Sequence, residues 1–132
     1  MKMVVDSRFV IEYFYSDDTE VKQKATKRLR ELIQRQEAIL PTIVISEITQ
    51  TICEQLGKDE AEICYANLTQ STLKIQTLTS QIAKQAGFLR SKYRNIPTGD
   101  CIIAATAIAN QASILSDDPH FDAIEETKRS WI

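Results

Sequence analysis

Apolar residues in this chain recur in two alternating periods. Met3-Val4-Val5 is a continuous apolar run ending on Asp6, and Phe9, Val10, Tyr13 and Phe14 then share one helical face. Ser16-Asp17-Asp18-Thr19 breaks that pattern and supplies a cap for the next helix. Val21, Ala25, Leu29, Leu32 and Ile33 mark this second amphipathic helix. Its outer side carries Lys22, Lys24, Lys27, Arg28 and Arg30 interleaved with Glu20 and Glu31, which reads as a solvated face. Ala38 to Leu40 predicts a second short strand, closed by Pro41. Thr42 opens a helix with Ile45, Ile48 and Ile52 on one side and Glu47 in its early turns, and Gly57 ends it. Ala61, Cys64, Tyr65 and Leu68 define a fourth helix. From Thr72 to Leu78, Leu73 and Ile75 alternate with Lys74 and Gln76, the pattern of a half-buried edge strand. Thr79 or Ser80 then caps a helix running through Ile82, Ala86, Leu89 and Tyr93.

The stretch from Ile96 to Phe121 organises the rest. Pro97 and Gly99 mark a turn, and Thr98 is placed to cap a helix whose first residues include Asp100. Ile103, Ala104, Ala107 and Ile108 recur at helical spacing while Ile102 and Ala105 make the opposite face apolar, so this helix is buried on more than one side. Ser113 to Leu115 predicts a buried strand that delivers Ser116, Asp117 and Asp118 at its C-terminal end. Lys128 to Ile132 predicts one more short strand. Strands separated by helices this long need crossover connections and a sheet covered on both faces. The expected fold class is therefore α/β, a three-layer α/β/α sandwich around a short, mostly parallel sheet, in one domain spanning residues 1–132.

Composition narrows the function classes. With 43% hydrophobic and 26% charged residues in 132, the chain can bury a core without staples. Cys53, Cys64 and Cys101 are odd in number and lack C-x-x-C spacing, which argues against a disulfide framework or a zinc site. All three fall on apolar helical faces and read as small core residues. No apolar run approaches membrane-spanning length and Met1 to Val5 is too short for a secretory core, so a cytoplasmic location is expected. No Gly-rich phosphate loop occurs. The formal charge of -2 excludes nucleic-acid binding through a strongly basic overall field, so any such partner must be held by local groups or a metal.

The chemistry lies in the acids. In a parallel sheet all strand C-termini lie along one edge, which makes Asp6 and Asp118 neighbours there. Asp100 and Glu47 sit near helix starts, and such helices begin at that same edge. Four converging carboxylates repel one another unless a cation is present, and a hard divalent ion such as Mg²⁺ or Mn²⁺ takes oxygen ligands. Such an ion supports water activation and phosphodiester displacement. The structural alternative is that acids at helix starts serve the helix dipole and acids after strands serve turns. A Cys101–His120 thiol dyad is the weaker candidate, because a cysteine in an apolar helix is typically inert core.

V-V-D-S near the start, V-I-S-E-I in the third helix, G-D-C-I-I-A-A-T-A near residue 100 and I-L-S-D-D-P-H-F after it resemble the motifs of PIN-domain proteins. The resemblance is to the small, single-domain VapC type found as toxins of bacterial and archaeal toxin–antitoxin pairs. It implies Mg²⁺- or Mn²⁺-dependent cleavage of an RNA substrate, homodimerisation, and a cognate antitoxin that blocks the site. The matching acids are Asp6, Glu47, Asp100 and Asp118, with Ser116 and Phe121 fixing the register of the last motif and leaving Asp117 as the intervening residue. Asp6, Asp100 and Asp118 are the expected metal ligands, and Glu47 a further one, directly or through water. Ser7 and Ser116 are expected to orient carboxylates. Two departures stand out. Arg8 follows Ser7 where the family usually has a small polar residue, and it either neutralises the acids or reaches a substrate phosphate. The Asp117-Asp118 pair leaves open which carboxylate faces the ion. Arg90, Lys92 and Arg94 are candidate phosphate contacts near the same edge, or simply a solvated helix end. The helices from Val44 and from Ile102 carry surplus apolar surface suited to a dimer. The alternatives are a PIN nuclease for RNA processing outside toxin systems, and a non-catalytic α/β binding module.

Overall fold

The computed structural model describes residues 1–132. Its core is one sheet formed by β1 (Met3–Val5), β2 (Ala38–Pro41), β3 (Lys74–Gln76), β4 (Ser113–Leu115) and β5 (Arg129–Ser130), in the order β3-β2-β1-β4-β5. Every pairing is parallel. The helices between the strands are α1 (Ser7–Tyr15), α2 (Thr19–Gln34), α3 (Thr42–Leu56), α4 (Lys58–Gln70), α5 (Ser80–Lys92) and α6 (Thr98–Ala109). Val4, Val5, Leu40, Ile114 and Leu115 have no exposed surface although neighbouring strand residues point to opposite faces. Helices therefore cover both sides of the sheet, as continuous apolar strands require. No helix is long and apolar enough to cross a membrane.

The chain builds β1, β2 and β3 outward on one side, then returns to add β4 and β5 on the other. The reversal falls between β1 and β4, whose register pairs Val5 with Leu115. Ligands in open parallel sheets bind at such a reversal, beyond the carboxyl ends of the strands. Asp6 and Ser116 are the first residues past those ends. The backbone amide of Asp6 still donates to the carbonyl of Leu115 at 3.2 Å, which holds the two exits together.

Local chemistry accounts for the helix ends. The Asp18 carboxylate caps α2 by accepting from the amides of Glu20 and Val21, and Thr79 caps α5 by accepting from Ile82. Thr98 does not cap α6: it is the first helical residue, preceded by Pro97, and no side chain caps that end. Proline presets the extended backbone at this start, and the acid in the first turn, Asp100, suits the dipole. α6 buries Cys101, Ile103, Ala104, Ala105, Thr106 and Ala107, as an all-round apolar helix should. Two other expectations fail on burial. Cys53 is exposed, unlike Cys64 and Cys101. Leu73 is buried just before β3, but Ile75 inside it is 39% exposed, because this short edge strand has little packed over it.

Candidate active site

Each acid is delivered by a different junction. Asp6 follows β1 and is only 2% exposed. Although it occupies the residue before α1, its side chain caps nothing. Its carboxylate instead accepts from the Ser116 hydroxyl at 2.6 Å and, more weakly, from the Ser7 hydroxyl at 3.4 Å. Ser116 Oγ also accepts from the backbone amide of Asp118 at 3.0 Å, so one buried hydroxyl ties Asp6 to the Asp118 turn. Asp118 starts the short 3₁₀ helix Pro119–Ala123, and its Oδ1 accepts from the amide of His120 at 2.9 Å. Asp100 lies in the first turn of α6 and Glu47 in α3, where Gly99 passes close to it. A Cβ at Gly99 would stand 3.0 Å from Glu47 Oε2, so a larger residue there would make that carboxylate shift by a few tenths of an ångström.

The acids are brought together at a cost in charge. Burial raises the Glu47 pKa to about 7, and the Asp6 and Asp100 charges push it the same way. Burial also raises Asp6, against the lowering bond from Ser116, with Asp118 adding repulsion. Burial raises Asp100 as well, against the bond from His120, with Asp118 and Asp6 repelling. Glu47 Oε1 is buried without any hydrogen-bond partner. Buried polar atoms are nearly always paired, and a cation among these acids would give the orphan oxygen a partner. The donor set is oxygen-rich, which fits a hard divalent ion. Asp100, Asp118 and His120 each offer one ligand atom, and these atoms lie within 4.8 Å of one another.

A family model described as PIN domain matches residues 3–126. The chain belongs to the PIN-domain family. No curated protein matches the sequence. Among solved structures, VapBC2 from Rickettsia felis, crystallised with a DNA fragment from its promoter, superposes with a TM-score of 0.82 at 17% identity, covering 99% of this chain and 98% of that one. VapBC from Salmonella typhimurium, also DNA-bound, gives 0.80 at 14% identity over 99% and 98%. Mycobacterium tuberculosis VapC20, a toxin that cleaves the sarcin–ricin loop, gives 0.73 at 16% identity over 94% and 95%. At these identities the likeness is one of fold.

Two features of this PIN domain bear on the residues left open by its sequence. The Arg8 guanidinium forms a two-point ion pair with Asp117, donating from Nε to Oδ1 and from Nη2 to Oδ2 at 3.2 Å. It bonds none of the four acids, and Asp117, occupied by Arg8, does not share in the Asp100–Asp118–His120 cluster. Arg129 braces the same turn, donating to the Ser116 carbonyl at 3.1 Å and to Asp122 at 3.0 and 2.8 Å. His120 is the residue that sequence reasoning misplaced. Its Nδ1 lies 2.9 Å from Asp100 Oδ2 and 3.3 Å from Asp118 Oδ1, and the bond to Asp100 leads the causes that hold its pKa above the ordinary value. The Cys101 thiol instead donates to the Ile96 carbonyl at 3.9 Å inside the core, which disposes of the thiol dyad. Of the three basic candidates at and just past the end of α5, Lys92 pairs with Glu126 at 3.4 Å and Arg90 donates to the Arg94 carbonyl. Arg94 alone is exposed and free of ion pairs.

Proposed function

We propose that this protein is a divalent-metal-dependent endoribonuclease of the VapC type, the toxin half of a toxin–antitoxin pair. The observation that carries this reading is the convergence of Asp6, Glu47, Asp100 and Asp118 at the β1/β4 reversal, with a buried Glu47 oxygen left unpartnered. Family membership and the VapBC fold relatives support it, as does the cleavage of the sarcin–ricin loop by VapC20. Asp6, Asp100 and Asp118 would hold Mg²⁺ or Mn²⁺, with Glu47 as a further ligand, directly or through water. Such an ion supplies Lewis acidity toward water and a phosphodiester oxygen. Ser116 locks Asp6 and the Asp118 amide into one orientation, and Ser7 supports the other Asp6 oxygen. Without an ion Glu47 has a pKa of about 7, and a cation bound beside it would favour its charged, ligating form. A cognate antitoxin would cover this acidic edge, two copies would associate as a homodimer, and the enzyme would act on RNA in the cytoplasm.

The test is incubation of tag-free protein with end-labelled single-stranded RNA in Mn²⁺ and in EDTA. Cleavage in Mn²⁺ alone, lost in Asp6→Asn, supports the reading. Cleavage that survives EDTA or Asp6→Asn sinks it.

A further inference from the structure

His120 is the chain's single histidine, and nothing in the nuclease reading assigns it a task. Its Nδ1 stands 2.9 Å from Asp100 Oδ2 and 3.3 Å from Asp118 Oδ1. Adjacent ligand atoms around a small divalent ion, each at about 2.1 Å, are separated by about 3 Å. His120 Nδ1 thus already stands from each carboxylate oxygen about as neighbouring ligand atoms on one coordination sphere do, and the three atoms lie within 4.8 Å of one another. The backbone that carries the ring is held in two ways. The His120 amide donates to Asp118 Oδ1 at 2.9 Å, which fixes the backbone next to the acid, and Pro119 stiffens the same turn. With the side chain 48% exposed, the imidazole has room to rotate and present its lone pair to an ion rather than to a carboxylate.

We propose that His120 supplies an imidazole nitrogen to the same divalent ion as Asp100 and Asp118, so that the site prefers a first-row transition ion such as Mn²⁺ over Mg²⁺. This rests on the metal-nuclease reading and adds the ion's identity to it. The chemistry is that of ligand softness. Mg²⁺ demands oxygen and gains little from imidazole, whereas transition ions accept a mixed nitrogen and oxygen set.

The experiment uses tag-free protein, so that His120 is the sole source of imidazole. Pulsed electron paramagnetic resonance of the Mn²⁺-loaded protein reads nitrogen coupling directly, without reference to activity. Wild type should show ¹⁴N coupling from imidazole, and His120→Gln should lack it. By calorimetry, His120→Gln should weaken Mn²⁺ binding by about tenfold or more while changing Mg²⁺ binding by no more than about twofold. Asp118→Asn, which can still cap the 3₁₀ turn, should lose both ions, with circular dichroism confirming its fold. If wild type binds neither ion, the metal reading itself fails. If wild type binds Mn²⁺ and Asp118→Asn does not, yet no ¹⁴N coupling appears, this inference alone is overturned. Mn²⁺ binding that is unchanged or tighter in His120→Gln overturns it as well, since the ring is then a bystander or a competing cation.

Discussion

Glu47 titrates far from its ordinary value of 4.5 because burial and two neighbouring acids oppose its charge, raising its pKa to about 7. The sign of the consequence follows from proton counting. Between those values the folded protein keeps a proton that the unfolded chain has lost, so stability falls as pH rises through this window. Asp6 and Asp100, also raised, act in the same direction over their own ranges. In EDTA the melting temperature should therefore decline as pH is raised from about 4.5 to about 7. Glu47→Gln should raise it by roughly 2–4 °C at pH 8 and leave it unchanged at about pH 4, as scanning calorimetry can show. The neighbouring acids separate just as clearly. With Asp117 held by Arg8, Asp117→Asn should bind Mn²⁺ within about twofold of wild type, while Asp118→Asn should lose about a hundredfold or more. Equal losses in the two would mean that both carboxylates face the ion. The register of these acids was legible from Ser116 and Phe121. His120 was not, because its contact with Asp100 spans twenty residues of chain and depends on the turn after β4.

At the scale of elements, legibility tracked how strongly burial constrains sequence. α6 announced itself because it is packed on all sides and admits almost nothing polar. β3 was readable only as an edge: too little covers it for the inward and outward positions to be enforced, so Ile75 remains partly in solvent. The expected Thr98 cap is absent because Pro97 occupies the capping position, which places Thr98 inside the helix. Gly57, between α3 and α4, has φ of +93° and ψ of 168°, a region open essentially to glycine alone. Gly57→Ala should cost about 1–3 kcal/mol by urea denaturation, with no steric clash to blame since nothing lies near its Cβ position. At the end of α5 the basic residues are unequal. Lys92 is engaged by Glu126 and lies beside the Tyr93 ring, whereas Arg94 is unpaired. In Mn²⁺, Arg94→Ala should flatten the salt dependence of RNA binding by about one unit, and Lys92→Ala should not. An equal effect of the two would show that RNA displaces Glu126.

For the whole molecule, a net charge of -2 and a cluster of acids at one sheet edge mean that the proposed RNA substrate would be repelled until a cation reverses the local sign. Exposed apolar surface is the other global feature. The large apolar residues most exposed are Met1, Leu56, Ile63, Tyr65, Ile75, Leu78 and Phe88, none of them on α6. Sequence periodicity shows that a face is apolar but not which neighbour covers it, and the apolar surface of α6 is largely consumed by the core. A homodimer should be seen by light scattering at tens of micromolar (roughly, for an obligate pair). A strictly monomeric species there would refute the dimer.

The central claim is that Asp6, Glu47, Asp100 and Asp118 act on RNA only as a joint cation site. The most direct test is a Mn²⁺ titration of RNA cleavage beside a calorimetric titration of the same protein, for wild type and Asp100→Asn. Wild-type cleavage should rise and saturate over the same Mn²⁺ range as binding, and Asp100→Asn should lose both together. Cleavage by Asp100→Asn at the wild-type rate, or wild-type cleavage that saturates far below the Mn²⁺ needed for binding, would contradict the account.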